Sequence, residues 1–229
     1  MPEQITTSAI ILRRTNYQES DKVVSFISSA GKISALIRGV RKSKSKLAAG
    51  VELFSVSEIT FIKTRGELAR IIQAKLKIHY GNIIKDFARM MQAYEFMKMI
   101  DKITEENSED AYFKLLKQAL ADLNNLDYHL SLIRINFLFN LFKLSGRQPD
   151  LFLDDRGKRL KQDSSYHFDI AEMKFIESAS GIFKASTIKI LRLAQAQDVA
   201  YLARVKDIED YYRLIDTFSG YLESNLWYN

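Results

Sequence analysis

The sequence predicts an α+β chain, with a small β-barrel over residues 1–78 and an all-helical region over 79–229. Three observations predict it. Apolar residues recur with a period of two through the first third, and with a period near 3.6 from Ile83 onward. Net charge changes at the same place. Residues 1–78 hold 14 Lys or Arg against 6 Asp or Glu, a net +8, whereas residues 79–229 hold 20 against 22, a net −2. Finally, no segment between the first strands is long enough for the helix of a βαβ unit, which leaves a closed barrel.

Ile5 to Arg13 alternates and then turns apolar through Ala9, Ile10, Ile11 and Leu12, a first strand. Lys22 to Ser28 is rich in β-formers (Val23, Val24, Phe26, Ile27). Ser29, Ala30 and Gly31 form a tight turn, so the next strand, beginning at Lys32, pairs as a hairpin. In that strand Ile33, Ala35 and Ile37 lie on one face and Lys32, Ser34, Leu36 and Arg38 on the other. Val51 to Lys63 is a β-branched and aromatic run, Thr64 to Glu67 a turn, and Leu68 to Leu76 the fifth strand. Five strands in under eighty residues fit an OB-fold, with an SH3-like barrel as the alternative.

The stretch Lys32–Lys46 is the most distinctive. It has six basic side chains (Lys32, Arg38, Arg41, Lys42, Lys44, Lys46) and no acid. A basic strand thus feeds a basic loop, one way to hold a phosphate backbone. A solvated loop would carry the same charges. Tyr17, in the polar TNYQESD segment, is the candidate for stacking on a base, since Phe26, Phe54 and Phe61 face inward by alternation.

From Ile83 the segment to Ile103 places Ile84, Phe87, Met91, Tyr94 and Met97 or Met99 at three- and four-residue spacing, which predicts a core-facing stripe. Glu105 to Ser108 reads as a loop with Ser108 capping a helix to about Leu123. Tyr128 to Leu144 is apolar on nearly every side and therefore central; Gly146 ends it and Pro149 prevents its continuation. Residues 147–169 read as an irregular polar loop with a turn at Asp154–Gly157. Helices are expected to resume near Ile170, Thr187 and Asp207.

Of 229 residues, 47% are hydrophobic, which supports a substantial core. There is no cysteine, so disulfides, thiolate zinc sites and cysteine nucleophiles are excluded. The first residues lack the pattern of a signal peptide and no apolar run reaches spanning length, so a soluble cytoplasmic protein is expected. His79, His129 and His167 stand apart, without metal-ligand spacing; Asp163, His167 and Asp169 read as a solvated loop. Asp154 and Asp155 are adjacent, which in a turn makes their side chains diverge. No phosphate-loop, dinucleotide-binding or nucleophile-elbow motif occurs. No enzyme activity and no cofactor are expected.

The N-terminal segment resembles the opening of the RecO family of bacterial DNA recombination and repair proteins. The shared features are an apolar strand ending in Leu12-Arg13, then Tyr17, Glu19 to Lys22, Gly31-Lys32, Gly39 to Arg41 and Ser45 to Leu47. The likeness covers about the first sixty residues, and Gly146 with Pro149 echoes it later. The resemblance implies an N-terminal OB-fold and a helical C-terminal domain. It implies a protein that binds single- and double-stranded DNA and anneals complementary strands. With RecR, such a protein helps load RecA onto DNA coated by single-stranded-DNA-binding protein, and it contacts that protein's acidic C-terminal tail. It implies no membrane partner; a bacterial, nucleoid-associated protein, monomeric outside its complex, is the expectation. The implied DNA surface is the basic face of the barrel: Lys22, Lys32, Arg38, Arg41, Lys42 and Lys46 within matched motifs, with Arg13, Lys44 and Arg65 added on charge and Tyr17 for stacking.

One departure stands out. Many members have a four-cysteine zinc module after the Gly-x-x-Pro element, and here Leu153 and Arg156 stand where its first two cysteines would fall. The loop is then expected to be held by packing of Leu151, Phe152, Leu153 and Phe168. Two other functions compete: an adaptor whose basic barrel binds acidic protein tails, and a metal-dependent nuclease built on Asp154, Asp155 and Asp163. Competition between DNA and an acidic peptide separates the first. Magnesium-dependent cleavage would mark the second.

Overall fold

β1 (Gln4–Tyr17) is twice the length of a typical strand, and that length builds the barrel. Its first half pairs with β4 (Ser55–Ile62), Gln4 to Ala9 opposite Ile62 to Ser57. Its second half pairs with β2 (Asp21–Ser28), with a register shift between Ile11 and Arg13. β3 (Gly31–Ile37) and β5 (Ala69–His79) complete the ring β1-β2-β3-β5-β4. The closing β3–β5 contact is parallel and short, Ala35 to Ala69 and Leu36 to Arg70. The structure, a computed structural model, describes residues 3–64, 66–104 and 110–228.

Inward residues of all five strands fill the barrel, among them Ile11, Phe26, Ile37, Ile59, Phe61 and Ile71. Phe26 and Phe61 meet edge to face at 5.8 Å. Ile10, Leu12 and Ile27 are also buried but do not join that core. They face outward, and α1 (Phe87–Ile103) and α2 (Asp110–Asn124) pack against β1 and β2. A strand covered on both faces reads as a continuous apolar run, which explains Ala9–Leu12.

The expected strand from Val51 is shorter than its apolar run. Ala49–Val51 is a 3-10 turn, and Phe54 breaks the chain at φ 54° before β4 begins. Phe54 is buried outside the barrel core, edge-on to Tyr94 at 4.9 Å. A Cβ on Gly50 would lie 2.5 Å from the backbone of Ala74, so this turn approaches β5 as closely as glycine allows. Tyr17 is the last residue of β1 and not part of the loop that the sequence suggests.

Asp86 starts α1 by accepting a hydrogen bond from the Arg89 amide at 3.1 Å. The expected core stripe is only half right. Met97 and Met99 are buried, but Ile84, Phe87, Met91 and Tyr94 are exposed, Phe87 by 74%. The buried face is instead Arg89, Ala93, Phe96, Met97 and Ile100. The helix carries apolar residues on two faces, and periodicity alone cannot choose between them. Ser108 lies outside the described residues. The chain divides into two compact units at Asn125/Leu126, so α1 and α2 belong with the barrel.

In the second unit α3 (Leu130–Leu144) is buried on most sides, as expected. His129 caps its start, Nδ1 accepting from the Ser131 amide. Its end is a Schellman closure: the Arg147 amide donates to Phe142, the Gly146 amide to Lys143, and Gly146 takes φ +69°. No helix begins at Ile170. A small sheet stands there, β6 (Ser165–Asp169), β7 (Lys174–Glu177) and β8 (Phe183–Lys184), in the order β7-β6-β8. α4 (Ala185–Ala196), the short α5 (Val199–Leu202) and α6 (Tyr212–Tyr228) follow, the last after a 3-10 turn at Ile208–Tyr211. Phe168, Phe175 and Phe183 pack on Phe218 of α6.

Candidate nucleic-acid interface

Two loops at one end of the barrel are stitched into a single cationic lip. The first is the β1–β2 turn, Gln18 to Ser20; the second leaves β3 at Arg38 and runs through Lys46. The Arg41 amide donates to the Ser20 carbonyl at 2.9 Å, and the Arg41 guanidinium to the Gln18 carbonyl at 3.2 Å. The Gly39 amide donates to the Asp21 carboxylate at 2.8 Å, and the Ser20 hydroxyl to the same oxygen at 3.1 Å. Gly39 can present its amide this way because it adopts φ +65°. Further turns at Lys42–Gly39 and Ser45–Lys42 order the basic run itself.

These bonds fix the electrostatics. The Gly39 amide above all, with the Ser20 hydroxyl and the Arg38 and Lys42 charges, holds the Asp21 carboxyl below its ordinary range, outweighing the desolvation that opposes it. One acid therefore stays ionised among the cations and acts as a clip for the loop backbone. Arg38, Arg41, Lys42, Lys44 and Lys46 all remain exposed around it. Tyr17, 46% exposed, sits beside the turn opposite Asp21. Lys22, half-buried, pairs with Asn16 and Ile37 and so lies at the same end.

Arg13 and Lys32 lie elsewhere. Both reach Asp101 of α1: Lys32 Nζ at 3.1 Å, its side chain 22% exposed, and Arg13 Nε at 4.0 Å, its side chain 70% exposed. Lys32 also donates to the Asp101 carbonyl, and the Ser25 hydroxyl to the Asp101 carboxylate at 3.2 Å. Lys32 thus fastens α1 to the barrel, a contact that spans 69 residues and leaves no local trace in the sequence. Arg65 lies outside the described residues. The β4–β5 side adds exposed Arg70 and Lys75, which sequence reasoning did not select, and Lys77, paired with Glu58 at 3.1 Å.

The region where a zinc module would stand does not fit a metal. Leu153 bridges to Arg159, and the Asp154 carboxylate accepts the Arg156 and Lys158 amides at 3.0 and 2.7 Å. Asp150 accepts the Phe152 and Leu153 amides. Among the described residues no group of three His, Cys, Asp or Glu side chains could hold a metal ion. Of the four residues expected to pack, Leu151 and Phe168 are buried and Leu153 is half-buried, whereas Phe152 is 56% exposed. Among the described residues no helix is long and apolar enough to cross a membrane.

Comparison with known proteins bears on the whole chain. Residues 1–80 match the family model described as "Recombination protein O N terminal", and residues 84–223 that described as "Recombination protein O C terminal". The DNA repair protein RecO of Syntrophomonas wolfei subsp. wolfei is 31% identical over 219 residues, 88% of this chain and 83% of that protein. The protein of the same name from Desulfatibacillum aliphaticivorans is 32% identical over 151 residues, 64% of this chain and 58% of its own. That from Alkaliphilus metalliredigens is 32% identical over 149 residues, 64% and 60% respectively.

Proposed function

The chain belongs to the RecO family of DNA repair proteins, and on that premise we propose that it is a non-enzymatic recombination mediator that holds DNA on the cationic lip of its barrel. The observation that carries this reading is the stitched loop pair, which presents Arg38, Arg41, Lys42, Lys44 and Lys46 together beside exposed Tyr17. Preordered cations lose less entropy on meeting a phosphate backbone than free loop lysines do. With one aromatic and many cations, affinity rests on phosphates, so binding is tolerant of sequence and steep in salt. Both single and double strands satisfy such a surface. In this reading the protein anneals complementary strands. With RecR it promotes RecA loading on strands coated by single-stranded-DNA-binding protein, whose acidic C-terminal tail it contacts. It acts in the bacterial cytoplasm, at the nucleoid.

The test is annealing of two complementary oligonucleotides, bare and coated with single-stranded-DNA-binding protein, at two salt concentrations. Salt-sensitive acceleration that persists on coated strands is the expected result. Lys44→Ala should reduce the log–log salt slope of binding by about 0.7 to 0.9, one phosphate contact, whatever the oligonucleotide sequence. Affinity indifferent to salt and to the lip lysines would overturn the reading. Binding without annealing would leave an adaptor that meets acidic tails on the same cations.

A further inference from the structure

The second unit has a charged cleft that the barrel reading does not use. It measures about 670 Å³ and lies between the segment leading into β6 and the first turns of α4. Lys161, Lys184, Lys189 and Arg192 line it, with Ser186 and a single acid, Asp163. Lys161 is already paired with Glu177 at 3.1 Å. Lys184 and Lys189 are exposed and have no ion-pair partner among the described residues. No side chain caps the start of α4 at Lys184, so the positive end of that helix adds to the field.

Arg192 sets this cleft apart from a chance gathering of lysines. Its Nε donates to the Leu151 carbonyl at 2.8 Å, and its guanidinium carbon lies 4.5 Å from the centre of the Phe152 ring. Gln195, one turn on, donates to the Pro149 carbonyl at 3.0 Å. The α4 side of the cleft is therefore tied to the segment after α3, and its guanidinium is held in place. Phe152 remains 56% exposed beside it. An exposed aromatic next to fixed and free cations is the arrangement that takes a single nucleic-acid strand, with bases on the ring and phosphates on the charges. A free inorganic anion would make no use of the ring.

We propose that this cleft is a second phosphate-binding site, which takes the backbone of a single nucleic-acid strand and stacks a base on Phe152. The inference rests on the DNA-binding reading of the lip and extends it: the chain holds one strand at the barrel and another stretch, or another strand, on the second unit. Two strand sites on one chain are what bringing complementary strands together requires.

The test uses the full chain and a labelled thymine oligonucleotide, with affinity followed over a salt series. Lys184→Glu with Lys189→Glu should lower the log–log slope by about 1.4, two single-strand contacts at about 0.7 each. Lys184→Gln with Lys189→Gln should do the same, which separates lost contacts from repulsion. Phe152→Ala should weaken binding several-fold with the slope unchanged. The lip variant Lys42→Ala with Lys44→Ala is the reference. If it lowers the slope and the cleft variants do not, the cleft proposal fails and the lip reading stands. If neither variant lowers the slope, both fail. If the cleft variants abolish binding of an oligoglutamate peptide but spare the oligonucleotide, the cleft receives acidic protein and the proposal is overturned. The same holds if inorganic phosphate occupies the cleft and Phe152→Ala leaves oligonucleotide affinity intact.

Discussion

Phe26 and Phe61 meet at 5.8 Å inside a ring of strands; Phe175 and Phe183 meet at 5.8 Å on a three-stranded sheet that does not close on itself. The barrel supplies both sides of its core from its own strands. The small sheet supplies one side only and takes the other from Phe218 of α6, whose ring lies 4.7 Å from Phe168, 5.7 Å from Phe183 and 5.9 Å from Phe139 of α3. A closed sheet is thus stabilised within its own stretch of sequence, whereas an open one depends on a helix that begins 28 residues after β8 ends, at Tyr212 against Lys184. Phe218→Ala breaks that dependence and should cost about 3–5 kcal/mol, the range for a large aromatic lost from a core. Hydrogen exchange should show β6 to β8 losing protection while β1 to β5 keep theirs. Equal loss in both would mean that the two units unfold as one, and the contrast would not hold.

Each unit also has one arginine that joins two helices, and the two are anchored differently. Arg89 is buried and donates from Nη1 to the Leu123 and Asn125 carbonyls, both at 2.9 Å, so it closes the end of α2 from α1. Arg134 is half-exposed and grips the Glu223 carboxylate through two nitrogens, with Asp216 at 3.9 Å. The hydrogen bonds to Glu223, helped by the Glu223 and Asp216 charges against desolvation, raise the Arg134 pKa still further, so it stays charged at any working pH. Arg89→Met removes the donor from one buried and one half-buried carbonyl and should cost about 2–4 kcal/mol, nearly independent of salt. Arg134→Met should cost about 1 kcal/mol, and less at high salt, because water screens the pair. Urea melts at two ionic strengths read both. A salt-sensitive Arg89 effect would mean that its partnership with Asp86, 3.7 Å away, outweighs the carbonyls.

The same contrast decides what the sequence could tell. The barrel was legible because its strands are long enough to show a period and its loops carry their charge in one run. The small sheet was not: strands of five, four and two residues hold at most two inward side chains each. Tyr166 and Phe168 do alternate around His167, but five residues cannot be told from a loop. Among the site residues, Arg38, Arg41, Lys42, Lys44 and Lys46 follow one another in the chain and lie together in space. Lys32 reads as one of them until Asp101 claims it from another element. The cleft of the second unit gathers Lys161 with Lys184 and Lys189 across a sheet whose existence had no sequence signal.

Both units close a loop on a carboxylate, and here the expected effect is smallest and most local. Asp154 accepts the Arg156 and Lys158 amides within its own turn. Asp21 accepts the Gly39 amide from a loop eighteen residues on, so its charge orders the lip and not merely itself. Its folded pKa is depressed, so the stabilisation it gives is fully present above the ordinary carboxylate value and is lost as pH falls through the lower folded value. Exchange at the Gly39 amide, corrected for its intrinsic rate, should therefore stay flat from pH 7 to about pH 5 and rise only below about pH 4. Asp21→Asn keeps an acceptor oxygen and should remove that rise; Asp21→Ala should expose the amide at every pH. Protection lost between pH 5 and pH 7 would mean that a group other than Asp21 holds the two loops together, and the preordering on which the lip's affinity rests would have to come from the Arg41 bonds alone.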